Sequence, residues 1–199
     1  MANLRQSTNP REGDQRGSER GLRTVVLVGA MGAGKSSVGR RLAKRLGLPF
    51  IDADDAIEEA VGCSIPEIFE IYGEEAFRDG ERRVIARLLA GPPQVLATGG
   101  GAFMDPRTRA EIKQYAVSVW LKAELETLVE RTGRRDDRPL LKQGNPREIL
   151  KRLLAERNPV YAEADVTVDS GSDGLDETVE RLLAALPAEY QPATGDETA

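Results

Sequence analysis

The sequence predicts an α/β protein built on a parallel sheet with helices on both faces. Two observations carry that expectation. Short β-branched runs alternate with amphipathic helical patterns over residues 24–186. The runs are apolar at nearly every position, as strands covered on both sides must be. A third observation is local: a glycine-rich stretch separates the first apolar run from the first helical pattern.

Taken in order, Thr24–Val28 reads as a buried strand. Residues 34–46 follow as a helix with Val38, Leu42 and Leu46 on one face and Gly47 as its stop. Residues 49–51 form an expected second strand. Ser64-Ile65-Pro66-Glu67 is a capping box that opens a further helix. Phe77, Val84, Ile85, Leu88 and Leu89 continue a helical stripe up to the break at Gly91-Pro92-Pro93. Val95–Ala97 and residues 117–121 read as further strands. Asp105-Pro106 and Asn145-Pro146 each pair an N-cap with proline at the first helical position. Residues 166–168 are the last strand, and Leu175, Val179, Leu182, Leu183 and Leu186 mark a closing helix.

The 199 residues suit one domain with tails, placed at 23–188 between an N-terminal extension (1–22) and a C-terminal tail (189–199). The extension has neither apolar periodicity nor the apolar centre of a signal peptide, and Glu12, Asp14 and Glu19 oppose an organellar transit peptide. It reads as a solvated tail, with a partner-binding segment as the other possibility. A net charge of -5 gives no pull toward nucleic acid or anionic membrane. The chain has no histidine, which removes Ser-His-Asp and Cys-His catalysis and histidine metal sites. Cys63, the single cysteine, excludes an intrachain disulfide and reads as a small inert apolar residue of a protein in the reducing cytoplasm. Chemistry must rest on Asp, Glu, Lys, Arg, Ser, Thr, backbone amides or a bound metal.

The first strand runs into Gly29-Ala30-Met31-Gly32-Ala33-Gly34-Lys35-Ser36, a complete G-x-x-x-x-G-K-S phosphate loop. Its glycines let the backbone turn its N–H groups toward phosphate. The helix that opens at Gly34 points its positive end at the same anion. Lys35 reaches the β- and γ-phosphates, and the Ser36 hydroxyl suits Mg²⁺. No Asn-Lys-x-Asp tetrapeptide for reading guanine is present, and the chain is short for a motor or helicase. A compact kinase remains.

Beyond the loop, Asp52 and Asp54 stand at the end of the second strand, where they serve either the phosphate site or the cap of the next helix. Arg78 lies within an otherwise amphipathic segment, three residues before Glu81. Gly99-Gly100-Gly101 follows the third strand, where the missing side chains admit a ligand to the backbone. Residues 131–138 form an arginine-dense loop between helices, anchored by Pro139-Leu140-Leu141, and Arg157 stands near a helix start.

With the phosphate loop through Ser37, the ordered series Asp52-Ala53-Asp54, Phe77-Arg78-x-x-Glu81, Gly99-Gly100-Gly101, Arg131-Thr132-Gly133, Arg138-Pro139-Leu140-Leu141 and Arg157-x-Pro159-x-Tyr161 resembles the shikimate kinases over residues 24–169. The resemblance implies a three-layer P-loop kinase fold with a five-stranded parallel sheet and a mobile lid at about residues 131–144. It implies transfer of the γ-phosphate of ATP to the 3-hydroxyl of shikimate, on the route to chorismate and the aromatic amino acids, by a cytoplasmic monomer. Carried over by position, Lys35, Asp54 and Arg138 are the catalytic residues, with Asp54 holding the acceptor hydroxyls. Gly32, Ala33, Gly34, Lys35, Ser36, Ser37, Arg131 and Arg138 bind ATP. Arg78 and Arg157 clamp the acceptor carboxylate beside Gly99, Gly100 and Gly101. Ser36 and, through water, Asp52 hold Mg²⁺. One departure is visible: residues 169–174 offer no basic residue beside the nucleotide, as some relatives do. Another small-metabolite kinase, such as a gluconate kinase, is the nearest alternative, ahead of a nucleoside monophosphate kinase or a non-catalytic nucleotide-binding regulator.

Overall fold

The computed structural model describes residues 21–133, 145–171 and 174–191. Its strands are β1 (Thr24–Val28), β2 (Phe50–Asp52), β3 (Val95–Ala97), β4 (Ala116–Lys122) and β5 (Val166–Asp169). They form one wholly parallel sheet in the order β2-β3-β1-β4-β5. Seven α-helices are described: α1 (Lys35–Leu46), α2 (Ala53–Val61), α3 (Ile65–Leu89), α4 (Pro106–Tyr115), α5 (Leu125–Gly133), α6 (Pro146–Tyr161) and α7 (Leu175–Ala185).

The sheet divides two cores by the period-2 alternation of its strands. Val25 and Leu27 of β1 face Val38 and Leu42 of α1 and Val179 and Leu182 of α7. Val26 and Val28 face Ile85 and Leu89 of α3, Ile112 of α4 and Tyr161 of α6. Each of the four β1 side chains is fully buried, worth roughly 1.5–3 kcal/mol of transfer free energy apiece. This is why the run reads as continuously apolar. Because every strand is parallel, all their C-terminal ends meet at one edge, and the loops that leave there converge.

Helix boundaries follow their caps. Gly34 at φ 92° turns the chain into α1, and Gly47 at φ 68° ends it with its N–H donating to the Ala43 carbonyl. The expected capping box opens α3: the Ser64 N–H donates to Glu67 Oε2 at 2.8 Å. Within that helix Gly73, at φ 80° and ψ 172°, separates an N-terminal piece from the piece carrying Arg78 and Glu81. Ile57, Ile68 and Phe77 form a small core beneath the two pieces, with Cys63 packed against it.

Several expected boundaries shift. The second strand is Phe50–Asp52, one residue later than the sequence suggests, and α2 starts at Ala53 instead of near Asp55. Arg131 closes α5 and does not lie in a loop. Arg157 lies in the last stretch of α6, not near a helix start. Proline reads as a boundary, yet Pro159 removes only one N–H near the end of a helix already opened at Asn145. At the termini, Leu22 is buried, and Tyr190 is buried with its hydroxyl donating to the Arg23 carbonyl at 2.7 Å. Leu22 and Tyr190 both belong to the core that includes β1 and α7. Arg138 and lid residues 134–144 lie outside the described residues, as do residues 1–20 and 192–199. Among the described residues no helix is long and apolar enough to cross a membrane.

Candidate active site

The loop after β1 is built around left-handed glycines, with φ 136° at Gly29, 83° at Gly32 and 92° at Gly34. A Cβ on Gly29 would lie 2.6 Å from the Leu121 carbonyl oxygen, so the loop's seat against β4 admits no side chain there. Lys35 Nζ donates to the carbonyls of Gly29 (2.8 Å) and Ala30 (3.0 Å), which stations the ammonium over the loop. Ser36 Oγ donates to Asp52 Oδ2 at 2.7 Å. The other oxygen of Asp52 caps α2 by accepting from the Asp54 N–H at 3.2 Å. Asp52 is thus the cap of α2, and its second oxygen reaches the phosphate loop through Ser36.

Asp54 stands in the first turn of α2 beside the first glycine after β3. A Cβ on Gly99 would sit 3.0 Å from Asp54 Oδ1 and 2.9 Å from Glu81 Oε1. Burial, then the neighbouring charges of Asp52 and Glu81, push the Asp54 carboxyl up to about 6, against the pull of Lys35. A group poised there is ionised at neutral pH yet basic enough to take a proton.

Glu81 is only 3% exposed, and its Oε2 accepts from Arg78 Nη1 at 2.7 Å. Burial raises this carboxyl too, although Arg78 opposes the effect. A Cβ on Gly101 would fall 2.6 Å from Arg78 Nη1, so the third glycine clears space for the guanidinium. Arg157 Nη1 donates to the Gly100 carbonyl at 3.1 Å. Arg78 and Arg157 line one cavity of about 310 Å³, together with Glu81, Gly101, Met104 and Thr108. Gly99 and Gly101 thus make room for the protein's own Asp54, Glu81 and Arg78.

Beyond the phosphate loop, Arg131 donates to Ser170 Oγ (3.1 Å), the Ser170 carbonyl (3.3 Å) and the Gly171 carbonyl (2.6 Å). Ser170 Oγ in turn donates to the Ala33 carbonyl at 2.8 Å. This chain ties the end of β5 to the phosphate loop.

The structure therefore gathers the phosphate loop, Asp52, Asp54, Arg131 and the triple glycine along the C-terminal edge of the sheet, with Arg78 and Arg157 around the adjoining cavity. Arg138 lies outside the described residues. Sequence reasoning gave no role to Glu81, Tyr161 or Ser170. Glu81 follows Arg78 by three residues on one helix, which is a pairing distance. Ser170 directly follows a parallel strand, where ligand sites collect. Those signals were available.

The shikimate kinase family model matches residues 31–187. The chain belongs to the shikimate kinase family. A family member from Paramagnetospirillum magneticum is 62% identical over 164 residues, covering 82% of this chain and 84% of that protein. A shikimate kinase from Acinetobacter baumannii, solved in complex with shikimate, is similar at a TM-score of 0.80 and 40% identity, over 83% of this chain and 93% of that one. A gluconokinase from Sinorhizobium meliloti, at 23% identity and a TM-score of 0.58, shares the fold alone. The five parallel strands with helices on both faces are thus the architecture that the sequence resemblance implied.

Proposed function

We propose that this chain transfers the γ-phosphoryl group of ATP to the 3-hydroxyl of shikimate, giving shikimate 3-phosphate and ADP on the route to chorismate. The carrying observation is that Arg78 and Arg157 line one cavity beside a complete phosphate loop. Two guanidiniums suit a planar carboxylate, which each can bind through paired N–H donors. A nucleotide needs the loop, and a carboxylate-bearing alcohol needs the arginines.

In this reading Arg78 and Arg157 orient the acceptor carboxylate and Asp54 holds the hydroxyl that attacks. The acceptor oxygen bonds to the γ-phosphorus as the bond to the β–γ bridging oxygen breaks. The electron pair leaves on ADP, and the hydroxyl proton passes to Asp54. Lys35 and Arg138 neutralise the γ-phosphoryl oxygens, and Arg131 lies against the adenine. Such transfers depend on positioning and charge more than on covalent help.

The residues present also suit Mg²⁺, because the Ser36 hydroxyl and the Asp52 carboxylate already meet at the loop. Ser36 would ligate the ion and Asp52 would hold one of its waters. Among the described residues no cluster of three or more Asp, Glu, Cys or His could cage a metal alone, so the ion would arrive with the nucleotide's phosphates. When bound, it supplies neutralisation of the β- and γ-phosphate charge.

We further place the enzyme in the cytoplasm, on its single cysteine, and as a monomer acting on free ATP and shikimate. A coupled ADP-release assay across shikimate, gluconate and nucleoside monophosphates tests the acceptor, and ³¹P NMR of the product locates the new ester. Turnover with shikimate alone is expected. Preferred turnover of gluconate, or ATP binding with no turnover of any acceptor, would overturn the reading.

A further inference from the structure

Tyr161 is 1% exposed in the core between α6 and the sheet, and its hydroxyl donates to the Gly100 carbonyl. The same carbonyl accepts from Arg157 Nη1 at 3.1 Å. Arg157 and Tyr161 are four residues apart on α6 and so share one face of it. One carbonyl thus takes two bonds from one helix. Burial raises the phenol's pKa, against the opposing charge of Arg157, so the hydroxyl keeps the proton it donates.

The geometry of a trans peptide gives this arrangement a consequence. Fixing the Gly100 carbonyl also fixes the Gly101 N–H, which points the opposite way from the same plane. A Cβ on Gly100 would lie 3.5 Å from the Met31 N and 3.6 Å from the Gly29 carbonyl oxygen, so this peptide also packs on the phosphate loop. From Tyr161 the wall continues through Trp120, whose ring centroid is 6.0 Å away. A Cβ on Gly29 would meet Trp120 at 3.3 Å. Tyr161 therefore stands behind the contact between the acceptor cavity and the phosphate loop, without lining the cavity itself.

We propose that Tyr161 is a positioning residue for the acceptor: by holding the Gly100 carbonyl together with Arg157, it sets the orientation of the triple-glycine loop and of the Arg157 guanidinium. The inference rests on the acceptor site proposed above. Its action is on acceptor binding and not on ATP, because among the described residues the Tyr161 hydroxyl bonds to the Gly100 carbonyl and to nothing on the nucleotide side of the phosphate loop.

Tyr161→Phe removes the hydroxyl and keeps the ring. Loss of one hydrogen bond of ordinary strength predicts a rise in the shikimate KM of about three- to tenfold, with the ATP KM within twofold of the parent. Arg157→Ala raises the shikimate KM alone. In Tyr161→Phe/Arg157→Ala the two effects should fall short of multiplying, since both act through one carbonyl. Melting temperature and the emission of Trp120, the chain's single tryptophan, report whether the core is kept. Equal rises in both KM values with a fallen Tm would be the signature of loosened packing and would overturn the inference. An unchanged shikimate KM in Tyr161→Phe, with wild-type turnover of shikimate intact, would overturn it and leave the acceptor assignment standing. A wild-type chain inert toward shikimate would remove the assignment and the inference together.

Discussion

Replacing Asp54 by asparagine sets the chemistry of this carboxylate against its cost to the fold. The folded protein holds the Asp54 proton more tightly than the unfolded chain does, since its value moves from 3.8 to about 6. Ionisation between those values therefore costs stability, and the loss is complete above the folded value. At about 1.4 kcal/mol per pH unit the full cost is about 3 kcal/mol. Partial exposure to water trims that to about 1–2 kcal/mol.

The amide side chain of the Asp54→Asn variant never ionises, so that protein should melt higher than the parent at pH 8, by about 3–6 °C for a domain of this size. The difference should shrink as pH falls through 6 toward 4. Over the same range the parent's kcat with shikimate should climb as pH rises through about 6, as the base loses its proton. The variant should lose about 10²- to 10⁴-fold in kcat at every pH. Paired thermal melts and initial rates from pH 4.5 to 8 supply both curves. A variant no more stable than the parent at pH 8, or a gap that ignores pH, would refute the account of Asp54 as a buried, charge-crowded base.

Three further substitutions test the surrounding parts. Arg78→Ala should raise the shikimate KM by about 10- to 100-fold while leaving the ATP KM within a few-fold, and equal effects on both would sink the clamp. Glu81→Leu should lower stability by about 2–3 kcal/mol in urea unfolding, below the usual cost of breaking a buried pair, because a third of the Arg78 side chain is exposed. Glu81→Gln keeps an acceptor for Arg78 and sheds a buried charge that the fold disfavours, so it should lose little or nothing; a loss equal to that of Glu81→Leu would argue against the hydrogen bond as the cause. Ser170→Ala cuts the link from Arg131 to the Ala33 carbonyl, so the ATP KM should rise about three- to tenfold with the shikimate KM unchanged. Steady-state kinetics varying each substrate in turn would read it.

The parts of this fold legible in the sequence are those dictated by local physics. Thr24–Val28 could only be a strand buried on both faces, and the glycines at 34 and 47 bracket α1 because a left-handed turn is needed at each end. The phosphate loop was legible because its chemistry is carried by neighbours in sequence. Arg157 was misplaced because Pro159 imitates a boundary, and only the tertiary cover of α6 shows that the helix runs through it. The roles of Glu81, Tyr161 and Ser170 depend on partners 3, 61 and 137 residues away. The Ser170 link arises from parallel strands delivering remote loops to one edge, and the Tyr161 link from the end of α6 meeting the loop after β3; no local pattern announces either.

How an acidic chain makes room for two anions follows from what its cations rest on. On the surface, Arg41, Arg45 and Arg147 pair with Asp176, Glu180 and Glu126, and each charge is cancelled locally. Arg131 and Arg157 instead donate to main-chain carbonyls at the loop and cavity. A carbonyl dipole orients a cation without supplying a countercharge, so the positive potential stays available to an incoming phosphate or carboxylate. Arg78 is the exception, held by Glu81 and approached by Glu74 at 3.5 Å. Its carboxylate partners sit on the same helix, one buried and one exposed. An arriving carboxylate can displace the weak outer contact while the inner one keeps the guanidinium plane in place. Orientation there is set by a countercharge and elsewhere by dipoles, and the net charge of -5 is compatible with both.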